Sequence, residues 1–174
     1  MKEQMGVGEL IRSDMSLYND GASEAITKLG FYAAVFYRLS KCFSRKGFLF
    51  GARCLQFLSH VLTGAEISHR AEIGPSLLIL HPTGVVIGSG VKIGKIATIC
   101  QGCTITRMHV DDKEMVIGDF FWGGPGSVIM GPLTIGDYVW VGPNSVLFKD
   151  VASNMKVLGN PARVFPSEAF KRMI

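Results

Sequence analysis

Two of the four histidines in this 174-residue chain, His81 and His109, fall where an otherwise regular sequence pattern breaks. An imidazole changes charge near neutrality. Held within hydrogen-bond reach of a hydroxyl, it can take the proton as the oxygen attacks an electrophile. Cys100 and Cys103 form a lone Cys-x-x-Cys pair. A zinc site would want a second such pair or neighbouring histidines, and no second pair exists. The expectation is two thiols on a regular element and no metal. The run Gly123-Gly124-Pro125-Gly126 is not a phosphate-binding loop, because no Lys-Ser/Thr follows it.

The pattern these residues interrupt has a period of six. Ile67, Ile73 and Ile79 recur at that spacing, then Ile87, Ile93, Ile99 and Ile105, then Ile117, Gly123, Ile129, Ile135, Val141 and Leu147. A glycine follows several of them, among them Gly74, Gly88, Gly94, Gly118 and Gly136. Six residues turn an α-helix by about 600°, so a helix cannot show them on one face. A plain amphipathic strand would show period two without the longer beat. A triangular solenoid fits: each hexapeptide makes one flat side, and its aliphatic residue points inward onto its equivalent one coil above. From Glu66 to about Val151 this predicts roughly five coils at about 4.8 Å spacing. The frame slips by two residues across Leu80-His81-Pro82-Thr83-Gly84, and a polar stretch from Thr106 to Glu114 interrupts it again. Such insertions form loops, which carry function more often than coils do.

Before the solenoid the period is helical, from about Glu9 to Leu62. Leu29, Ala33, Phe36 and Leu39 form one stripe, with Arg38 and Lys41 off it. A second helix from about Phe48 to Leu62 puts Phe48, Ala52, Leu55, Leu58 and Leu62 on one face. These faces are expected to pack on the rest of the protein. Peripheral membrane association is the alternative, weakened because few positive residues flank the aromatic ones. The fold class expected is mostly β: a left-handed parallel β-helix over 64–165 with an N-terminal helical segment over 1–63 and a tail at 166–174.

Composition agrees. Apolar residues make up 48% of the chain, enough for a packed core. The net charge of +4 suits a polyanionic cofactor and does not call for nucleic acid. Four cysteines are too few for a secreted disulfide scaffold, Met1 to Asp20 has no apolar leader, and no apolar run reaches about 18 residues. A cytoplasmic location with reduced thiols is expected.

Read together, several segments resemble the serine acetyltransferase branch of the hexapeptide-repeat acyltransferases. These are Gly30-Phe31-Tyr32-Ala33, GAEISHRAEIG (64–74), LHPTGVVIG (80–88), CQGCTI (100–105), GPLTIGDYVWVGPNSVLFKDV (131–151) and GNPARV (159–164). The resemblance covers about Gly30 to Phe165. It implies acetyl transfer from acetyl-CoA to a hydroxyl, with His81 as general base and Glu66 as the carboxylate that orients it. Glu66 lies fifteen residues before His81, which suggests neighbouring positions one coil apart. His109 answers to a second catalytic histidine, shifted by one residue, and Arg107 to a substrate or CoA contact. Asp14 matches a further acceptor contact. For CoA the resemblance implies Gly159, Ala162 and Arg163, with Lys149 and Lys156 as charge partners.

The acceptor is less direct. In the serine enzymes an Asp before the catalytic histidine holds the ammonium, and here Leu80 stands there. That favours a sugar hydroxyl, as in the branch members that acetylate surface polysaccharides. L-serine is the alternative, and a non-catalytic scaffold a third reading. The family implies a homotrimer with sites between neighbours, with Phe120, Phe121, Trp122, Tyr138 and Trp140 suited to interfaces if they face outward. In a serine enzyme the terminal Ile174 would be captured by a partner sulfhydrylase.

Overall fold

The computed structural model describes residues 5–18, 21–109 and 111–167. Ile174 and most of the expected tail lie outside them. Four helices come first: α1 (Val7–Met15), α2 (Ala22–Ala25), α3 (Leu29–Arg45) and α4 (Leu49–Thr63). Fifteen short strands follow, numbered in chain order, and all but the last stack in parallel on three faces. The first face holds β1 (Glu66–Ile67), β4 (Val86–Ile87), β7 (Thr104–Thr106), β10 (Val128–Met130) and β13 (Val146–Leu147). The second holds β2 (Glu72–Ile73), β5 (Val91–Ile93), β8 (Met115–Ile117) and β11 (Thr134–Ile135), extended by a bridge from Ile135 to Val151. The third holds β3 (Leu77–Leu80), β6 (Ala97–Cys100), β9 (Trp122–Gly123), β12 (Trp140–Val141) and β14 (Met155–Leu158). On the third face β15 (Arg163–Pro166) turns back antiparallel against β14.

The six-residue beat is the register of these ladders. Ile67 pairs with Ile87, Ile87 with Ile105, Ile105 with Ile129 and Ile129 with Leu147. Ile73, Ile93, Ile117 and Ile135 do the same on the second face. All are buried, so each column is a strip of core. Gly123, the frame position without a side chain, has its space filled from beside: a Cβ there would meet Cys103 Sγ at 2.9 Å and the Phe121 ring at 3.2 Å. Phe121 is therefore core and not an outward interface residue. Phe120 and Tyr138 stack face to face at a corner, with centroids 4.4 Å apart.

The helices close the edge of the first coil. A parallel strand at an open edge leaves donors and acceptors unpaired. Here the Tyr37 hydroxyl donates to Ala71 O and accepts from Ile73 N–H, and Arg38 donates to Ile73 O and Gly74 O. α3 can lie this close because it has Gly30 at the contact, where a Cβ would stand 1.9 Å from Ile79 O. That approach corrects the expected stripe. The buried side of α3 is Gly30, Ala33, Ala34, Tyr37 and Arg38, while Leu29 is 55% exposed. α4 is inverted as well. It buries Gly51, Ala52, Ser59 and Thr63 and turns Phe50, Phe57, Leu58, Val61 and Leu62 outward. No helix among the described residues is long and apolar enough to cross a membrane.

Candidate active site

Every coil must turn three corners, and most corners use one residue in the left-handed region. Between the second and third faces that residue is Ser76, Ile96, Phe120, Tyr138 or Asn154 in successive coils. Between the third and first faces it is Gly84, Gly102, Gly126 or Asn144. His81, with φ +57°, has no counterpart in the coils above. It exists because the first coil carries two extra residues at this corner, so that Ile67 pairs with a residue twenty positions on rather than eighteen. Pro82 follows and further restricts the backbone of His81. The imidazole is thus presented at the end of β3, exposed, on a segment that differs from the regular corner.

His81 lines a concavity of about 570 Å³ between this corner and the α1–α3 region, with Tyr18, Glu24, Lys28, Leu80 and Thr83. Glu24 lies 3.7 Å from Lys28 Nζ. Burial, with Asp14 and Glu24 nearby, pushes the Tyr18 phenol up to about 12, so it stays a neutral hydroxyl at physiological pH. Tyr18 and Glu24 were not legible as site residues, because Tyr18 lies beyond the end of α1 and Glu24 sits on α2, which is four residues long and carries no periodic signal.

Glu66 points outward from β1 but lines a different concavity, of about 470 Å³, between α4 and the first coil. No hydrogen bond joins Glu66 to His81 within the protomer. The fifteen-residue spacing falls short because this coil is the longer one. The register neighbour of Glu66 is Val86, five residues beyond His81.

The polar loop after β7 is a tight turn. His109 N–H donates to Asp112 Oδ2 at 2.8 Å, and the His109 side chain is exposed. Arg107 braces the loop: Nε donates to Ser89 O at 3.0 Å and Nη1 to Asp112 O at 2.6 Å. The guanidinium lies over Gly90, where a Cβ would come within 2.5 Å of it. Asp14 is buried against Arg38 and faces no groove. Both residues thus have internal partners that the sequence did not reveal.

The residues expected to hold CoA gather at the far end of the solenoid. Lys156 sits on β14, and Gly159, Ala162 and Arg163 lie in or beside the β14–β15 turn. Ala162 N–H donates to Val146 O, and Gly159 N–H to Ser145 Oγ. Lys149 follows β13 on an adjoining corner. Lys156 registers beside Trp140, which registers beside Trp122, forming an outward column on the third face. A cation continuing a flat aromatic column fits the phosphates and adenine of CoA in chemical type. Among the described residues no cluster could hold a metal ion. Cys100 and Cys103 are core thiols, the latter accepting from Ser127 Oγ–H. A further concavity, about 750 Å³ between α1, α3 and the second face, contains none of these candidates.

No family model matches the chain. It is 33% identical over 141 residues to the serine acetyltransferase of Helicobacter pylori (strain ATCC 700392 / 26695), covering 80% of this chain and 82% of that protein. It is 32% identical over 173 residues to serine acetyltransferase 2 of Arabidopsis thaliana, covering 94% of this chain but 54% of the plant protein. Against a solved serine acetyltransferase in complex with CoA it superposes with a TM-score of 0.84 at 25% identity, over 91% of this chain and 69% of that one.

Proposed function

This chain belongs to the serine acetyltransferase family, and from that premise we propose that it transfers an acetyl group from acetyl-CoA to the hydroxyl of L-serine. The observation that carries the reading is the two-residue insertion that sets His81 apart from every regular corner, in a chain so similar to enzymes of that name. The expected sugar acceptor gives way, because both relatives and the CoA-bound structure bear the serine acetyltransferase name. Leu80 supplies no charge for an ammonium group, but Glu24 brings a carboxylate into the same concavity from α2.

In this reading acetyl-CoA supplies an activated acyl group. Lys156 and Arg163 balance its phosphates, and the Trp122–Trp140 column offers a flat apolar surface. His81 takes the proton of the acceptor hydroxyl as the oxygen attacks, and returns it to the leaving sulfur. Glu66 and His109, apart from His81 within one protomer, would serve it from a neighbouring copy in a homotrimer. The outward face of α4 is the surface we assign to that assembly.

The test is thiol release from acetyl-CoA with L-serine and with a panel of sugars and nucleotide-sugars. Serine-dependent release that His81→Ala lowers by about 10²–10⁴-fold is expected. Release with a sugar alone would overturn the serine reading.

A further inference from the structure

The concavity between α4 and the first coil holds a histidine that the proposed chemistry does not use. His69 is 7% exposed. Its Nδ1 lies 3.0 Å from Gln56 Oε1, which can only accept, so Nδ1 carries the proton. That fixes the tautomer and leaves Nε2 as a lone-pair acceptor. Nε2 is buried and has no partner among the described residues. A buried acceptor without a donor is rare in folded proteins and marks a place where a donor is to be supplied.

The charges around it are unbalanced. Arg53 from α4 and Arg70 from the first coil line the same concavity, and neither is in an ion pair among the described residues. Glu66 offsets one of them. The cavity therefore presents one net positive charge, two guanidinium groups and one lone pair. Guanidinium groups match the oxygens of an oxyanion. The lone pair rejects an oxyanion with no proton and accepts one that has kept a proton, and Glu66 repels the higher charge state. Burial, with Arg70, Arg53 and Lys41 nearby, lowers the pKa of His69, so the lone pair is present at neutral pH.

We propose that this concavity is a binding site for a phosphate group that retains a proton, with Arg53 and Arg70 on its oxygens and His69 Nε2 accepting from its P–OH. Inorganic phosphate keeps such a proton throughout the neutral range, whereas a monoester there is largely the proton-free dianion, so free phosphate is the occupant. The site goes beyond acetyl transfer and shares only Glu66 with the proposed reaction.

Phosphate and sulfate are matched in shape, and at neutral pH only phosphate keeps a proton. Calorimetric titration of the full chain with each ion is the test. Phosphate should bind at least about tenfold more tightly than sulfate, the discrimination expected when a buried acceptor is left unsatisfied. His69→Leu should erase the preference, and Arg53→Gln, an exposed change, should weaken both ions. His81→Ala should bind phosphate as the unaltered protein does while losing turnover, which separates this site from the proposed reaction. CoA should not compete with phosphate here; competition by CoA but not by 3′-dephospho-CoA would overturn free phosphate as the occupant. Equal affinity for the two ions, or a phosphate preference that survives His69→Leu, would overturn the proposal.

Discussion

Asp14 and Arg38 meet in a two-pronged ion pair across the seam between α1 and α3, with Nε to Oδ2 and Nη2 to Oδ1 both 2.9 Å. Their side chains are 1% and 2% exposed. Asp14 also accepts from Leu77 N–H at 2.8 Å, and Arg38 donates to two carbonyls of the first coil. The pair therefore fastens the helical cap to the solenoid edge. Removing one partner strands a buried charge, so Arg38→Met should destabilise by about 3–5 kcal/mol in urea unfolding. Asp14→Leu combined with Arg38→Met should lose less than the two single changes added together. An Arg38→Met protein that unfolds at the unaltered midpoint would show that the pair does not hold the cap.

His69 gives stability a defined pH dependence. Burial disfavours its imidazolium, and Arg70, Arg53 and Lys41 add repulsion, so its folded pKa lies below the ordinary value of about 6.5. The unfolded chain then binds the proton more readily than the folded one. This penalty is absent above about 6.5 and grows as the pH falls through it toward the folded value. His69→Gln should flatten that acid limb. Chemical unfolding of both proteins between about pH 7 and 5 is the measurement; parallel losses of stability would rule out His69 as the cause.

The solenoid was legible because one aliphatic residue per side must point inward, and the stack makes that requirement periodic. Ile87, Ile105, Ile129 and Leu147 belong to one ladder and share a frame for that reason. The helical faces depart from the pattern because amphipathicity marks an apolar face without fixing what covers it. In α3 the contact was set by Gly30, a residue with no hydropathy signal. In α4 the small residues face in and the large ones out. The histidine-bearing insertion could be read, but the membership of its concavity could not. Tyr18 and Glu24 arrive from an irregular stretch, and the pairing of Asp14 with Arg38 depends on two helices meeting.

The cysteines should divide by reactivity. Burial raises the Cys103 thiol to about 12, only partly opposed by the Ser127 hydroxyl that donates to it, and burial also raises Cys100. A redox or metal-binding pair would need accessible thiolate instead. Cys54 is exposed on α4. With a maleimide under native conditions, Cys54 should be labelled promptly in a protomer whose outward α4 face is uncovered, as in a Phe57→Ser, Val61→Ser variant, while Cys103 waits for unfolding. Peptide mapping that finds rapid native labelling at Cys103 would contradict its place in the core.

Phe50 is 75% exposed, Phe57 69%, Val61 60% and Leu62 55%, all on α4. So much apolar surface on one helix needs a partner. A second copy is the partner that also accounts for the candidate site, since Glu66 and His81 line different concavities of one protomer and His109 lines neither. Each such side chain contributes about 1.5–3 kcal/mol when fully buried. Replacing Phe57 and Val61 with serine should therefore weaken assembly by about 10³-fold while leaving the fold, which rests on the inner face of α4, intact. Analytical ultracentrifugation should find a trimer for the unaltered protein and monomers for the double variant, with turnover lost alongside. An unaltered protein that sediments as a monomer, or a double variant that stays trimeric and active, would remove α4 from the interface.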